Sequence, residues 1–346
     1  MSLKDKLLEL GYSNEEYEKI KNSYALTKYS EDTLDSKIDE IYHFLLHPFS
    51  SNPNIGYTEK EIIKITTTLP AIYGYSVENI KQKFDYMISL GYTKEETLKI
   101  MKSLPNIYGL SIDIMNKKLN DLISLGYTKD QVIKMLKSFP SFYSYSADII
   151  KQKLEDMISL GYTKEEALKM TKKIPNIYGL SMENLNQKLN DVISLGYTKE
   201  EVLKMTTNSP DIYSFSVDNM RQKINDLISL GYTKEEVLKM TKSLPTIYGL
   251  SIENLKQKID FYDSINMHEL AVLDTMNLMQ SVNLSYARYM FFKDRDMEIN
   301  MDNRSKLFAG TKRFEKVYGI TKEELLNKYN YNKYLEEKNE IGGLKW

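Results

Sequence analysis

The chain has 346 residues, a net charge of −1, no cysteine, 42% hydrophobic residues and 27% charged residues. This balance predicts a folded chain and leaves no global field that demands a polyanion or a membrane as partner. The missing cysteine excludes disulfides, thiolate metal sites and cysteine nucleophiles.

The first residues, MSLKDKLLELGYSNEE, lack the apolar core of a secretion signal and are too acidic for an Arg-rich transit peptide. No apolar run approaches the ~20 residues of a membrane span. The bias to Lys, Asn, Ile and Tyr fits an AT-rich genome, and the expected location is the cytoplasm of a bacterial or phage-like source, or an organelle matrix after removal of a transit peptide. Residues 1–54 read as a divergent N-terminal repeat or cap, opening at Gly11-Tyr12-Ser13 and carrying an extra stretch, HPFSSNPN, at 47–54. His43 and His47 lie four apart, but they lack a third ligand and Pro48 ends the helix, so no metal is expected.

From residue 55 to 264 the chain repeats six times. Prolines stand at 70, 105, 140, 175, 210 and 245, and Gly-Tyr pairs open at 56, 91, 126, 161, 196 and 231, always 35 residues apart. In the sixth copy Thr233-Lys-Glu-Glu236 forms a capping box ahead of a helix whose apolar face holds Val237, Leu238, Met240 and Leu244. Five copies carry Thr-x-x-Glu and the third has Gln131 in place of Glu. Pro245 ends that helix and pushes Leu244 out of the helical region. Pro245–Tyr248 makes one short turn stopped by Gly249, and Ser251 caps a second helix with Ile252, Leu255 and Ile259 on one face. Gly231 serves as the residue after the helix C-cap. A 35-residue unit buries about nine apolar side chains at roughly 2 kcal/mol each, against about 1 kcal/mol or more per ordered residue. One unit therefore cannot fold alone. The expected fold is all-α, a right- or left-handed superhelical solenoid of 35-residue helix–short turn–helix repeats. Residues 265–346 read as degenerate repeats and a C-terminal helical cap.

The repeat LGYTKEEVLKMTKSLPTIYGLSIENLKQKIDF at 230–261 resembles that of the mitochondrial transcription termination factor (mTERF) family. The resemblance covers residues 55–264, extends loosely over 10–46, and reappears at 307–326. Pentatricopeptide repeats share the period but not the in-register proline. The resemblance implies a curved superhelix that binds double-stranded DNA or RNA, with members acting in organelle transcription, its termination, and ribosome or transcript maturation.

Within the six repeats 28 basic and 26 acidic residues are segregated into rows. Lys64, Lys99, Lys134, Lys169, Lys204 and Lys239 mostly follow an acid by four residues, the order of a helix ion pair. Lys83, Lys118, Lys153, Lys188, Lys223 and Lys258 have no such acid, and Lys81, Lys151, Arg221 and Lys256 lie two positions earlier. This second row flanks an apolar stripe and is expected to line one edge of the solenoid. At about 10 Å per stacked helix it would reach roughly 50–60 Å, about 15 base pairs of phosphate. Lys312, Arg313 and Lys316 form a further basic cluster, with Arg288, Lys293 and Arg295 upstream. The small residues after each proline (Ala71, Asn106, Ser141, Asn176, Asp211, Thr246) suit a turn start. The tyrosines at 57, 92, 127, 162, 197 and 232, and at 73, 108, 143, 178, 213 and 248, are expected in the inter-repeat core with hydroxyls at the rim. There is no Walker loop, dinucleotide fingerprint or nucleophile elbow, so neither catalysis nor a cofactor is expected. Two readings stay open: a nucleic-acid-binding solenoid using lysine rows on phosphate, and an interaction solenoid with a protein partner in its groove.

Overall fold

The computed structural model describes residues 2–49, 52, 54–333 and 335. Residues 50, 51 and 53 of the expected insertion, and residue 334 and residues 336–346 of the expected C-terminal cap, lie outside the described residues. The chain forms two compact units that divide between Leu180 and Ser181, inside the fourth repeat. Among the described residues all regular structure is helical.

In the first unit, helices Leu3–Glu9, Asn14–Ile20 and Glu31–Leu46 precede the array. First helices Glu59–Thr68, Lys94–Ser103, Lys129–Ser138 and Lys164–Lys173 are each followed by a 3-10 turn starting at Pro70, Pro105, Pro140 or Pro175. Second helices Val77–Ser89, Ile112–Ser124 and Ala147–Ser159 complete repeats 1 to 3. The second unit opens with Met182–Ile193 and runs through Lys199–Asn208, Val217–Ser229, Lys234–Ser243 and Ile252–Ser264, with turns at Pro210 and Pro245. A shortened repeat follows. Its first helix is one turn, Leu270–Leu273, its 3-10 turn is Thr275–Met279, and its second helix is Val282–Lys293. Helices Thr311–Tyr318 and Lys322–Lys328 come last.

The punctuation works as the residues dictate. All six first helices start on a reciprocal capping box, with Gln131 taking the glutamate's place in the third. Leu244 before the proline leaves the helix at φ −132°, ψ 76°, and Ser251 accepts from the Asn254 N–H to start the next helix. Gly126 and Gly196, with φ of +118° and +120°, follow the second helices in a left-handed conformation that a side chain would strain.

One expectation is corrected. Gly249 does not stop its turn by a left-handed backbone, and Ser144 and Ser214 occupy the same position in repeats 3 and 5. Its smallness serves packing instead. A Cβ on Gly109, Gly179 or Gly249 would come within 2.9, 3.3 or 3.2 Å of Tyr75, Tyr145 or Phe215, the residue after the turn one repeat earlier. Leu110, Leu180 and Leu250 take that residue's place in the even repeats.

Both tyrosine rows are core, and they meet. The Tyr57 hydroxyl bonds the Tyr108 hydroxyl at 2.9 Å, Tyr127 bonds Tyr178 at 2.6 Å, and Tyr197 bonds Tyr248 at 2.6 Å. Each pair joins the start of one repeat to the turn of the next. Tyr12 of the divergent unit does the same with Tyr73, at 2.7 Å. The hydroxyls lie inside the fold, not at its rim. Where the next repeat offers a threonine on its first helix, the phenol takes it as second partner: Thr66 for Tyr12, Thr171 for Tyr127, Thr241 for Tyr197. Where that position is Met101 or Leu136, Tyr57 and Tyr92 donate to the helix carbonyls of Leu98 and Ile133 at 3.1 and 3.0 Å. No phenol in these sets is left without a partner in the interior, where an unmet hydroxyl is costly.

Thr97 is one of three core hydroxyls, with Tyr262 and Thr275, that are buried with no partner. Val132, Val202 and Val237 fill the same position in other repeats. Thr97→Val should therefore raise stability by about 1 kcal/mol in urea denaturation; a loss of stability would show that the hydroxyl finds a partner.

The phenols also set a pH limit. Burial pushes the Tyr12 hydroxyl up to about 12 and raises those of Tyr57, Tyr108 and Tyr178. Unfolded phenols titrate near 10 (about 10). Above that pH the unfolded chain loses protons that the folded chain keeps, so this stability is full below about pH 10 and falls as pH rises. The urea midpoint should drop between pH 8 and pH 11, and less steeply in a Tyr57→Phe, Tyr108→Phe double variant.

Candidate nucleic-acid interface

The two lysine rows have exchanged the places that their spacing suggested. Lys83 and Lys258 of the second-helix row are only 4% and 5% exposed, and Lys118, Lys153, Lys188 and Lys223 are half-buried. Their ammonium groups hold backbone carbonyls. Lys153 donates to Leu180 O at 2.5 Å, Lys188 to Phe215 O at 3.4 Å, Lys223 to Leu250 O at 2.6 Å and Lys258 to Leu278 O at 2.5 Å. Lys118 donates to Tyr143 O. Each of these five reaches from the second helix of one repeat to the turn of the next. Lys83 folds back on the carbonyl and side-chain oxygen of Asn79. Burial pushes the Lys83, Lys118 and Lys258 ammonium groups down from the ordinary lysine value.

The expectation of an open lysine edge on the second helix is corrected accordingly. A lysine beside an apolar stripe buries its stem there, and its head then lies nearer the next turn's carbonyl than water. Lys83 and Lys258 are removed from any surface a phosphate could reach. The other four keep ammonium donors beyond the one given to the carbonyl.

The first-helix row is the open one. Lys64, Lys99, Lys134, Lys169, Lys204 and Lys239 are all exposed. Among the described residues no ion pair within 4 Å engages Lys64, Lys99, Lys134, Lys204 or Lys239, so the expected pairing with the acid four residues earlier does not form. The capping-box glutamates pair elsewhere. Glu61 takes Lys102, Glu96 takes Lys137, and Glu201 takes Lys242 at 2.6 Å, each lysine belonging to the next repeat. The lysine hydrogen bond holds all three carboxyls below the usual range. The sequence signal was present as an offset of 41 residues, one period plus six, and it was invisible to a search within single helices.

The remaining candidates sort by burial. Arg221 is exposed and bonds Asp218 at 2.9 Å. Lys312, Arg313 and Lys316 are exposed on helix Thr311–Tyr318, which starts at Gly310 with no side-chain cap and no acid in its first turn. Arg288, grouped with them by sequence, is 1% exposed. Its Nη1 donates to Leu307 O at 2.8 Å, and its guanidinium lies 4.4 Å from the centre of the Phe314 ring. Burial lowers its pKa to about 10. Arg295 lies 3.6 Å over the Phe291 ring. Among the described residues no group of three or more His, Asp or Glu could hold a metal ion, and no helix is long and apolar enough to cross a membrane.

The second-helix staples and the first-helix row are separable by stability. Lys153→Met and Lys223→Met should each cost about 1 kcal/mol, one hydrogen bond's worth. Lys239→Met should leave the urea midpoint within error. Equal losses at all three positions would mean that the carbonyl contacts contribute nothing of their own.

A profile of the mTERF family matches residues 49–159 and 155–270, well over half of the chain and coincident with the regular repeats. No curated protein matches the chain. The proline-punctuated helix–turn–helix unit, its 35-residue period and its extent along the sequence agree with that match: the chain belongs to the mTERF family.

Proposed function

We propose that the chain binds double-helical nucleic acid through its phosphates, as a non-catalytic regulator of transcription or its termination. Members of the family are non-catalytic, and the family assignment supports a nucleic-acid-binding role in general. The observation that carries the finer reading is the first-helix lysine row. Lys64, Lys99, Lys134 and Lys169 in one unit, and Lys204 and Lys239 in the other, present one exposed ammonium per repeat. A phosphate ladder needs charge repeated at a regular interval, and it needs no base readout.

The preference for a duplex rests on the tyrosines. Unpaired bases are held by stacking on exposed aromatic rings. The twelve tyrosines that recur in every repeat are buried, and the rings that recur in alternate repeats, Tyr75, Tyr145 and Phe215, are partly buried. With no fully exposed ring repeated in every unit, a contact to the backbone is favoured. Half-buried Lys118, Lys153, Lys188 and Lys223, and exposed Arg221, Lys312, Arg313 and Lys316, are further cations that this reading would recruit to phosphate.

A protein partner is the second reading. The observation favouring it is the edge of the shortened repeat, where Leu273, Met276 and Met279 are 51%, 62% and 51% exposed.

The test is binding of a labelled 20-base-pair duplex and of a single strand at two salt concentrations. The duplex should bind more tightly, with a steep salt dependence. Replacing Lys99, Lys134, Lys204 and Lys239 by Gln should reduce the magnitude of the log–log salt slope by about three to four. Lys153→Met with Lys223→Met should change duplex affinity by less than about threefold, because the first-helix row remains. No duplex binding at low salt would sink the reading and leave the protein partner in its place.

A further inference from the structure

A cavity of about 160 Å³ lies in the second unit, beyond the last repeat, between the 3-10 turn Arg304–Lys306 and helix Thr311–Tyr318. Ser305, Lys306 and Arg313 give it polar walls, and Phe314, Val317 and Tyr318 line the rest together with Ala309. It is the chemistry of this lining that sets it apart. Two cationic residues, Lys306 and Arg313, line it, and no carboxylate is among the lining residues. Among the described residues neither Lys306 nor Arg313 takes part in an ion pair within 4 Å. Their neighbours are already committed: Arg304 is bonded to Asp274 at 2.5 Å, and Arg288 is buried on Leu307 O. Glu315, the acid of the same helix, accepts from the Lys322 backbone N–H at 2.9 Å.

Leaving two like charges at one cavity is unfavourable unless an anion joins them. The size limits the anion. Sites for whole cofactors or drug-sized molecules take about 300 Å³ or more, so a single tetrahedral oxyanion fits better than an entire nucleotide. The guanidinium of Arg313 offers paired donors to such an oxyanion, Lys306 a point charge and Ser305 a hydroxyl. Val317, 61% exposed, gives the mouth an apolar lip against which a carbon substituent of the anion would rest.

We infer that this pocket is a phosphate-group site, held by Lys306, Arg313 and Ser305. Its source is a backbone phosphate of bound nucleic acid, which rests on the function proposed above, or a free phosphate, which does not. A backbone source would give the array a terminal anchor made of side chains from outside the repeats.

Two measurements on the full chain separate the cases. The first compares duplex affinity of wild type and a Lys306→Gln, Arg313→Gln variant at 50 and 200 mM salt. A backbone source predicts about tenfold weaker binding at 50 mM and a salt slope smaller by about two, one per lost contact. The second follows the Arg313 side-chain Nε–H resonance during titration with inorganic phosphate at constant ionic strength. A saturable shift that disappears in Lys306→Gln supports a free-phosphate source, even if wild type binds no duplex and the proposed function fails. Unchanged duplex affinity in the variant together with no saturable phosphate shift overturns the site.

Discussion

A buried hydroxyl is costly without a partner, and the paired tyrosines of the repeats find theirs in the next repeat. Tyr57 with Tyr108, Tyr127 with Tyr178 and Tyr197 with Tyr248 each cross one repeat boundary. Without the next repeat these phenols would face water, and the unit would lose both the paired hydroxyls and the apolar burial around them. Apolar burial alone would let repeats stack with some slip, since it has no direction. The paired hydroxyls fix the register, because the tyrosine of one repeat reaches its partner at only one setting. Repetition is thus a condition of folding for each unit, in the manner of other one-dimensional arrays.

The charged residues fall into place around that constraint. Once the turns of neighbouring repeats are set side by side, the second-helix lysines find a carbonyl within reach and are drawn out of solvent. The capping glutamates, already fixed by Thr58, Thr93 or Thr198, meet a lysine of the following helix. Two lysine classes are consumed by architecture in this way. The first-helix row stays in water. In a chain of net charge −1 a local field can arise only by such sorting, since the overall composition supplies none.

Much of this was legible in the sequence. The period, the capping boxes, the helix-ending prolines and the all-helical fold follow from spacing and from rules of local backbone chemistry. The tyrosines were legible as core but not as pairs, because their partners stand 51 residues away, one period plus 16. The lysine rows were misplaced for the same reason. Helix-pair rules weigh neighbours three and four residues apart, and they hold no term for a carbonyl 27 residues on, such as Leu180 O beside Lys153. Within its own repeat Gly249 reads as a turn stop, while the ring it makes room for, Phe215, belongs to the previous repeat. The array writes its local structure in each repeat and its packing in the interval between repeats. The pocket beside Arg313 was beyond reach altogether, since no period governs the residues that line it.

The glycine–aromatic contacts carry a consequence for how such a chain can change length. Odd repeats end their turns with Tyr75, Tyr145 or Phe215, and the following even repeats receive those rings with Gly109, Gly179 or Gly249. Repeats 3 and 5, which follow a leucine, carry Ser144 and Ser214 at the receiving position. Excising repeat 2 would set Tyr75 against Ser144, whose Cβ would occupy the space that Gly109 leaves open. Excising repeats 2 and 3 together would set Tyr75 against Gly179 and preserve the fit. The helical unit repeats every 35 residues, but this ring-to-glycine fit repeats every 70, so a change of two repeats keeps the alternation and a change of one breaks it.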